Sequence, residues 1–209
     1  TGVEGSFHQI DANISSLGFR TKDIKILLSM QAHWDHVAEF ARIKHLTEAE
    51  VWATAKDAIL LEDGGQSDPN HPLGSDRYLF RPVAVERIIS EGDVIELGGI
   101  RLQVHDHPGH TPGSTSYSMK VVENGATYNV VIVNMGTINP GMKLLVDPTY
   151  PGIDDDFMNT FAKQKAIKAE IWVSSHSGFY NLHQKYEPGQ AYDPATFYDP
   201  KGYLAAINY

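Results

Sequence analysis

The stretch "LLSMQAHWDHVAEF", residues 27–40, places two imidazoles, a carboxylate and an amide within six residues. These four side chains are Gln31, His33, Asp35 and His36. The preceding "DIKILLSM" (23–30) is a short apolar run typical of a buried strand, so the polar cluster begins where the strand ends. Loops at strand ends commonly carry binding and catalytic residues. Because neutral imidazole and carboxylate are standard zinc ligands, the cluster predicts a metal site at this strand end.

The spacing of the cluster predicts how its ligands divide. If residues 31–36 are extended, side chains two apart share a face, so Gln31, His33 and Asp35 point together and His36 turns away. This arrangement offers ligands to two adjacent points. A catalytic zinc keeps three protein ligands and an open position for water. Two such sites need about six ligands, so further ligands must come from elsewhere in the chain.

Two other segments offer these ligands. "HPGHTPGS" (107–114) places His110 in a Gly/Pro-rich turn, and "WVSSHSGF" (172–179) places His176 just after a predicted strand. The competing interpretation, a polar helix start capped by Asp35, does not explain the two flanking histidines. His105 and His107 lie near His110 and are candidates to orient a ligand. For four other histidines we expect ordinary surface or core roles: His8, His45, His71 and His183.

Composition narrows the class of protein. The 209 residues carry 17 Lys and Arg against 26 Asp and Glu, a net charge of −9, which argues against nonspecific binding to nucleic acid. The chain has no cysteine, which excludes disulfides and thiolate ligands. No apolar run is long enough to span a membrane, and we recognise no signal peptide. With no repeat or linker, residues 1–209 are predicted to form one domain.

The remaining pattern predicts an α/β or α+β fold, with sheets covered by helices. Hairpins are expected at 94–107, turning at Gly98-Gly99, and at 116–134, turning at "ENGA". A further strand is expected at 51–53 and a last one at 169–175. Helices are predicted at 36–46, before Gly64, at 154–167, after Pro194 and from Gly202 to the end. Residues 64–82 read as a long loop.

The motif His33-x-Asp35-His36, with "GHTPGS" and "SHSG", resembles the metallo-β-lactamase superfamily, although Gln31 stands where the first motif usually has His. The sequence is most similar to the third subclass of class B β-lactamases, in the branch that carries this Gln. The similarity extends through "NMGTINPG", "PTYPGI" and "SHSGFYNLHQKY". It implies an αββα sandwich with metals at one edge. Family members have additional strands before the "TG" that opens this chain, so the fold is expected to lack those strands.

The resemblance also implies two sets of zinc ligands. Gln31, His33 and His110 would hold the first ion; Asp35, His36 and His176 would hold the second. Most hydrolases of the superfamily have a bridging Asp where this chain has Asn134-Met135, a difference that favours the third β-lactamase subclass. Because an amide oxygen is a poorer zinc ligand than imidazole, we expect one or two ions, with the second site tighter.

The implied activity is that of a zinc-dependent hydrolase that opens β-lactam rings of penicillins, cephalosporins and carbapenems by attack of a zinc-bound hydroxide, oriented by the catalytic residue Asp35. The small-molecule substrate carries a carboxylate, for which Thr137 and Asn139 are candidates, with ordinary turn chemistry as the alternative. Leu73, Tyr78 and Phe80 could cover the substrate or belong to an ordinary surface loop. The resemblance implies a periplasmic or secreted location. The alternatives are a lactone or thiolester hydrolase and a non-catalytic metal-binding relative.

Overall fold

The computed structural model describes residues 2–70 and 76–208. The helices are α1 (Phe7–Ser16), α2 (Trp34–Val37), α3 (Phe40–Thr47), α4 (Ala55–Asp63), α5 (Ile153–Ala166), α6 (Leu182–Lys185) and α7 (Pro200–Ile207). The strands are β1 (Ile26–Leu28), β2 (Glu50–Ala53), β3 (Arg87–Ile88), β4 (Val94–Leu97), β5 (Ile100–Asp106), β6 (Thr115–Glu123), β7 (Ala126–Val133) and β8 (Ile171–Ser174). Short 3-10 turns occur at Thr21–Asp23, Asp76–Tyr78 and Pro194–Phe197.

The strands form two sheets. The smaller one has the order β1-β2-β3 and is parallel; the larger has the order β4-β5-β6-β7-β8, antiparallel except for the parallel pair β7 and β8. Gly98 and Gly99, with φ of 59° and 85°, form the two-residue turn between β4 and β5. Such hairpin turns need positive φ at both central residues. Asn124 and Gly125, with φ of 50° and 80°, do the same between β6 and β7, so both predicted hairpins are confirmed.

Three apolar cores separate four layers. Because strand side chains alternate between faces, each sheet buries residues on both sides. Leu27 and Val51 pack with residues of α3 and α4 on the outer face of the small sheet. The core between the sheets contains Trp52, Ile89, Ile95, Val104 and Tyr117. The core beyond the large sheet contains Val131, Val133 and Trp172 with Tyr203 and Ile207 of α7. The expected αββα arrangement is therefore present.

Several element boundaries differ from expectation. The helix predicted at 36–46 is divided, because α2 ends at Val37 and α3 begins at Phe40. Between them the buried Glu39 accepts a hydrogen bond from the Gly5 backbone N–H at 2.6 Å, which connects this junction to the segment before α1. The first strand is shorter than 23–30, and α1 was not predicted. Across residues 2–70 and 76–208, no helix has the length and apolar character needed to cross a membrane.

Candidate metal centre

The segments that follow three strands meet at one edge of the sandwich. Residues 31–36 follow β1, His110 lies between β5 and β6, and His176 follows β8. They line a cavity of about 600 Å³ together with other polar and aromatic residues. These include Trp34, Asp68, Asn70, Tyr78, Phe80, Met135, Thr137, Asn139 and Phe179. All six predicted ligands thus line a single cavity.

His33 and His110 form the first part of the centre. His33 Nδ1 lies 3.1 Å from His110 Nε2, and the two rings are edge to face. Gln31 lines the same cavity and is only 2% exposed. Its Oε1 is buried and has no hydrogen-bond partner among the described residues. A buried carbonyl oxygen without a partner is unfavourable, so this atom is available to a ligand in the cavity.

Asp35, His36 and His176 form the second part. One ligand atom from each lies within 4.8 Å of the others. Asp35 Oδ2 is 3.2 Å from His36 Nε2 and 3.7 Å from His176 Nε2. These three residues form the one group of three or more potential His or carboxylate ligands found within the described part of the chain.

The predicted extended alternation through residues 31–36 is wrong. His33 is extended, with φ −88° and ψ 151°, but the chain turns helical at Trp34. Successive helical side chains diverge by about 100° rather than the roughly 180° of a strand. Asp35 and His36 can therefore both reach the side on which His176 lies. Asp35 groups with His36, not with Gln31 and His33.

The protonation states suit metal binding. Although burial raises the pKa of Asp35, its hydrogen bond and charge interaction with His36, together with the interaction with His176, outweigh burial and bring the pKa to about 2. Burial, together with the nearby His33, lowers the pKa of His110 to about 4. Burial also lowers the pKa of His176. At neutral pH these residues are an anion and two neutral imidazoles, the forms that metals require.

The outward-facing nitrogens of the first pair are held in place. His33 Nε2 lies 3.1 Å from Asp68 Oδ2, and His110 Nδ1 lies 2.8 Å from the carbonyl oxygen of Thr137, to which it can donate. Burial lowers the pKa of His33, but the carboxylates of Asp68, Asp57 and Asp35 together more than offset it, so the pKa is raised. Metal-binding histidines characteristically have such a partner on the second nitrogen. Sequence reasoning missed Asp68, because its loop gave no spacing that relates it to His33.

Some of the other candidate residues line the cavity and others do not. His107 Nδ1 lies 2.6 Å from Ser116 Oγ, and His105 Nε2 lies 2.7 Å from Ser118 Oγ. Both rings therefore hydrogen-bond serines of β6 and do not line the cavity. Asn139 lines the cavity.

The hydroxyl of Thr137 lies 3.0 Å from Nδ1 of His110 and therefore contacts one of the predicted metal ligands. Tyr78 and Phe80 line the cavity, whereas Leu73 and His71 lie outside the described residues.

Asn134 is buried, with its backbone N–H bonded to Ser116 Oγ at 2.9 Å, and Met135 lines the cavity. Neither side chain is an anion, as the sequence indicated.

Comparisons with known proteins identify relatives of the chain and of its fold. Residues 2–121, more than half of the chain, match the metallo-beta-lactamase superfamily. The structure superimposes on a beta-lactamase from Chitinophaga pinensis with a TM-score of 0.93 and 42% identity, covering 100% of this chain and 78% of that one. It also matches the class B3 di-zinc metallo-beta-lactamase LRA-12 from an Alaskan soil metagenome, with a TM-score of 0.92 and 38% identity over 100% of this chain and 78% of that one.

The chain is also similar in sequence to an enzyme with a different activity. The chain is 26% identical over 102 residues to the hydroxyacylglutathione hydrolase GloC of Haemophilus influenzae, which covers 46% of this chain and 44% of that protein. The chain aligns with less than half of the length of the curated relatives that it matches. The solved structures are matched over the whole chain and at higher identity. On this fold and these matches, the chain belongs to the metallo-β-lactamase superfamily, with subclass B3 enzymes among its close structural neighbours.

Proposed function

We propose that this protein is a zinc-dependent hydrolase that opens the β-lactam ring of penicillins, cephalosporins and carbapenems. The observation that carries the proposal is the pairing of two ligand groups in one cavity. One consists of Gln31, with its buried unpaired Oε1, and the facing nitrogens of His33 and His110. The other is the compact group of Asp35, His36 and His176. The solved structures described above support the reaction, because they are β-lactamases.

The donor set fits zinc. Imidazole nitrogen and carboxylate oxygen are its usual protein ligands, and three per ion leave an open position for chemistry. Gln31, His33 and His110 would hold one ion, and Asp35, His36 and His176 the other. Zinc supplies Lewis acidity at such a site: it acidifies water and polarises a carbonyl oxygen.

The protein's own groups then have distinct roles. Asp35 remains ionised at neutral pH, since its pKa is about 2. A base with so low a pKa is poorly suited to remove a proton, so Asp35 orients the attacking water by accepting its hydrogen bond. His33 and His110 are held by Asp68 and by the Thr137 carbonyl, which fixes the first pair before substrate arrives.

Substrate would be positioned by the walls of the cavity. Trp34, Tyr78, Phe80 and Phe179 provide an apolar side for the fused rings. Of the two candidates for the substrate carboxylate, Asn139 is the stronger, because the Thr137 hydroxyl already contacts His110. The expected periplasmic or secreted location is part of the same proposal, since it rests on the β-lactamase relatives.

A second candidate is hydrolysis of a thiolester, which the match to hydroxyacylglutathione hydrolase favours. Asn134 and Met135 argue against it, because the resemblance places a bridging carboxylate at this strand end in most other hydrolases of the superfamily. The match is also weaker than those to the β-lactamases, at 26% against 42% and 38% identity.

The test is a zinc titration of the metal-free protein that follows binding and hydrolysis together. The substrates are a chromogenic cephalosporin, a carbapenem and a glutathione thiolester. We expect the first equivalent to bind at Asp35, His36 and His176 and to give substantial β-lactam hydrolysis. His176→Ala should abolish it, whereas His183→Ala, which alters an exposed histidine, should not. Turnover of the thiolester alone would refute the β-lactamase proposal.

A further inference from the structure

Beneath the first ligand pair lies a buried carboxylate, Asp57, in the first turn of α4. We propose that Asp57 is a positioning residue that sets the separation of the two loops that carry Gln31, His33 and His110. The inference rests on the metal centre proposed above. Asp57 itself does not line the cavity wall formed by these ligands and acts through the loops.

The Asp57 carboxylate joins the two loops directly. Its Oδ1 accepts from the Gly113 backbone N–H at 3.0 Å, and its Oδ2 accepts from the Thr111 hydroxyl at 3.0 Å. On the other side the backbone of Ala32 lies close enough to the carboxylate to lower its pKa. Ala32 lies between Gln31 and His33, and Thr111 follows His110. One carboxylate thus bonds the residue after His110 and lies near the residue between Gln31 and His33.

The loop 107–114 also rests against α4 through its backbone. Thr54, the N-cap of α4, donates its hydroxyl to the Gly113 carbonyl at 2.6 Å. A Cβ at Gly113 would overlap Thr54 Oγ1 and the Asp57 backbone nitrogen, so this contact requires glycine. Burial raises the pKa of Asp57 to about 6, and the N-terminus of a helix, which favours negative charge, opposes this effect.

The geometry makes the first pair dependent on this contact. Zinc requires nitrogen ligands at about 2.0–2.1 Å, so the approach of His33 Nδ1 to His110 Nε2, now 3.1 Å, must be set closely. The loops that carry these two histidines are far apart in sequence and share the Asp57 carboxylate. In the second group, Asp35 and His36 come from a single helical turn and His176 from another segment, without Asp57 as an intermediary. Loss of Asp57 should therefore act selectively on the first pair.

The experiment measures cobalt(II) and zinc binding to the metal-free full chain by absorption spectroscopy and calorimetry. Asp57→Asn keeps the shape of the side chain but replaces one acceptor oxygen by a donor. Thr111→Val removes one of its partners and carries the test if Asp57→Asn does not fold. Thr160→Val is the matched control, because it removes a buried hydroxyl bond to Pro108 of the same loop, 2.6 Å long, that does not involve Asp57.

We expect Asp57→Asn to weaken the first pair by roughly 10- to 100-fold, as is typical when the partner of a ligand is lost. The second group should keep its affinity within about twofold, as both should in Thr160→Val. Equal weakening of both groups, or unchanged affinity in a folded Asp57→Asn and in Thr111→Val, would overturn the positioning role. If the unmodified protein binds no zinc, the metal centre itself is refuted. That result is distinct from failure of the positioning role, which is judged from the variants.

Discussion

His107 gives a quantitative prediction of how the protein loses stability in acid. The ring is 1% exposed, and its Nδ1 bonds Ser116 Oγ at 2.6 Å. Burial, reinforced by the stacked His105, lowers its pKa from 6.5 to about 3. Between these two values the unfolded chain binds a proton that the folded protein does not. His107 therefore contributes stability above pH 6.5, and that contribution is lost as the pH falls toward 3.

The size of the effect follows from linkage. With pKa values of 6.5 unfolded and about 3 folded, lowering the pH from 7 to 5 removes about 2 kcal/mol through this residue alone. His107→Asn cannot take up the proton and escapes this loss. At pH 7 the variant should be less stable by about 1 kcal/mol, because its bond to Ser116 is altered. At pH 5 the order should reverse, with the variant about 1 kcal/mol more stable.

The assay is urea unfolding at both pH values in the presence of a chelator, which removes stabilisation by bound metal. Titration of other groups is common to both proteins and cancels in the difference. His8→Asn, at an exposed position, is the control and should follow the unmodified protein within about 0.5 kcal/mol. If His107→Asn and the unmodified protein lose the same free energy between pH 7 and pH 5, the buried neutral histidine is not the source of acid sensitivity.

Four further substitutions separate the roles of individual residues. Asp35→Asn should abolish turnover, whereas Gln31→His should keep it and tighten the first pair; equal losses of kcat in steady-state assays would contradict these roles. Asp68→Asn should weaken metal binding at His33 by roughly 10- to 100-fold in a cobalt titration, because the outward nitrogen of the ring then faces a neutral amide instead of a carboxylate. Gly113→Ala should lower the free energy of unfolding by more than about 2 kcal/mol in urea, because its methyl group overlaps the first turn of α4.

The features that the sequence predicted best are local ones. Gly98-Gly99 and Asn124-Gly125 mark the hairpins because positive φ at both turn positions favours these residue types. The ligand loops were found because each cluster of polar residues follows an apolar run. By contrast, α1 is not predicted; none of its residues is fully buried, and it packs against the core through the partly buried Phe7 and Ile10.

The features that could not be predicted depend on one torsion or on distant contacts. The alternation expected from the spacing is wrong because the backbone becomes helical at Trp34, and neither side-chain type nor spacing reveals that turn. Asp57 is far in sequence from Thr111, to which it is hydrogen-bonded in the fold. Asp68 is likewise distant in sequence from His33, whose ring it contacts. Their loops contain many other polar residues, so composition alone does not distinguish them. The assembly of the centre is therefore a property of the tertiary structure.

These two carboxylates bear on why an amide can occupy position 31. Taken as isolated ligands, Gln31, His33 and His110 form a neutral and rather weak set, while the second group has an anion in Asp35. However, Asp68 and Asp57 both act on His33 and raise its pKa against the effect of burial. A field that stabilises a proton on His33 also stabilises a metal cation beside it. Asp57 and Asp68 thus supply negative charge next to a first pair whose own ligands are all neutral, and the first pair depends on those carboxylates more than its own ligands would indicate.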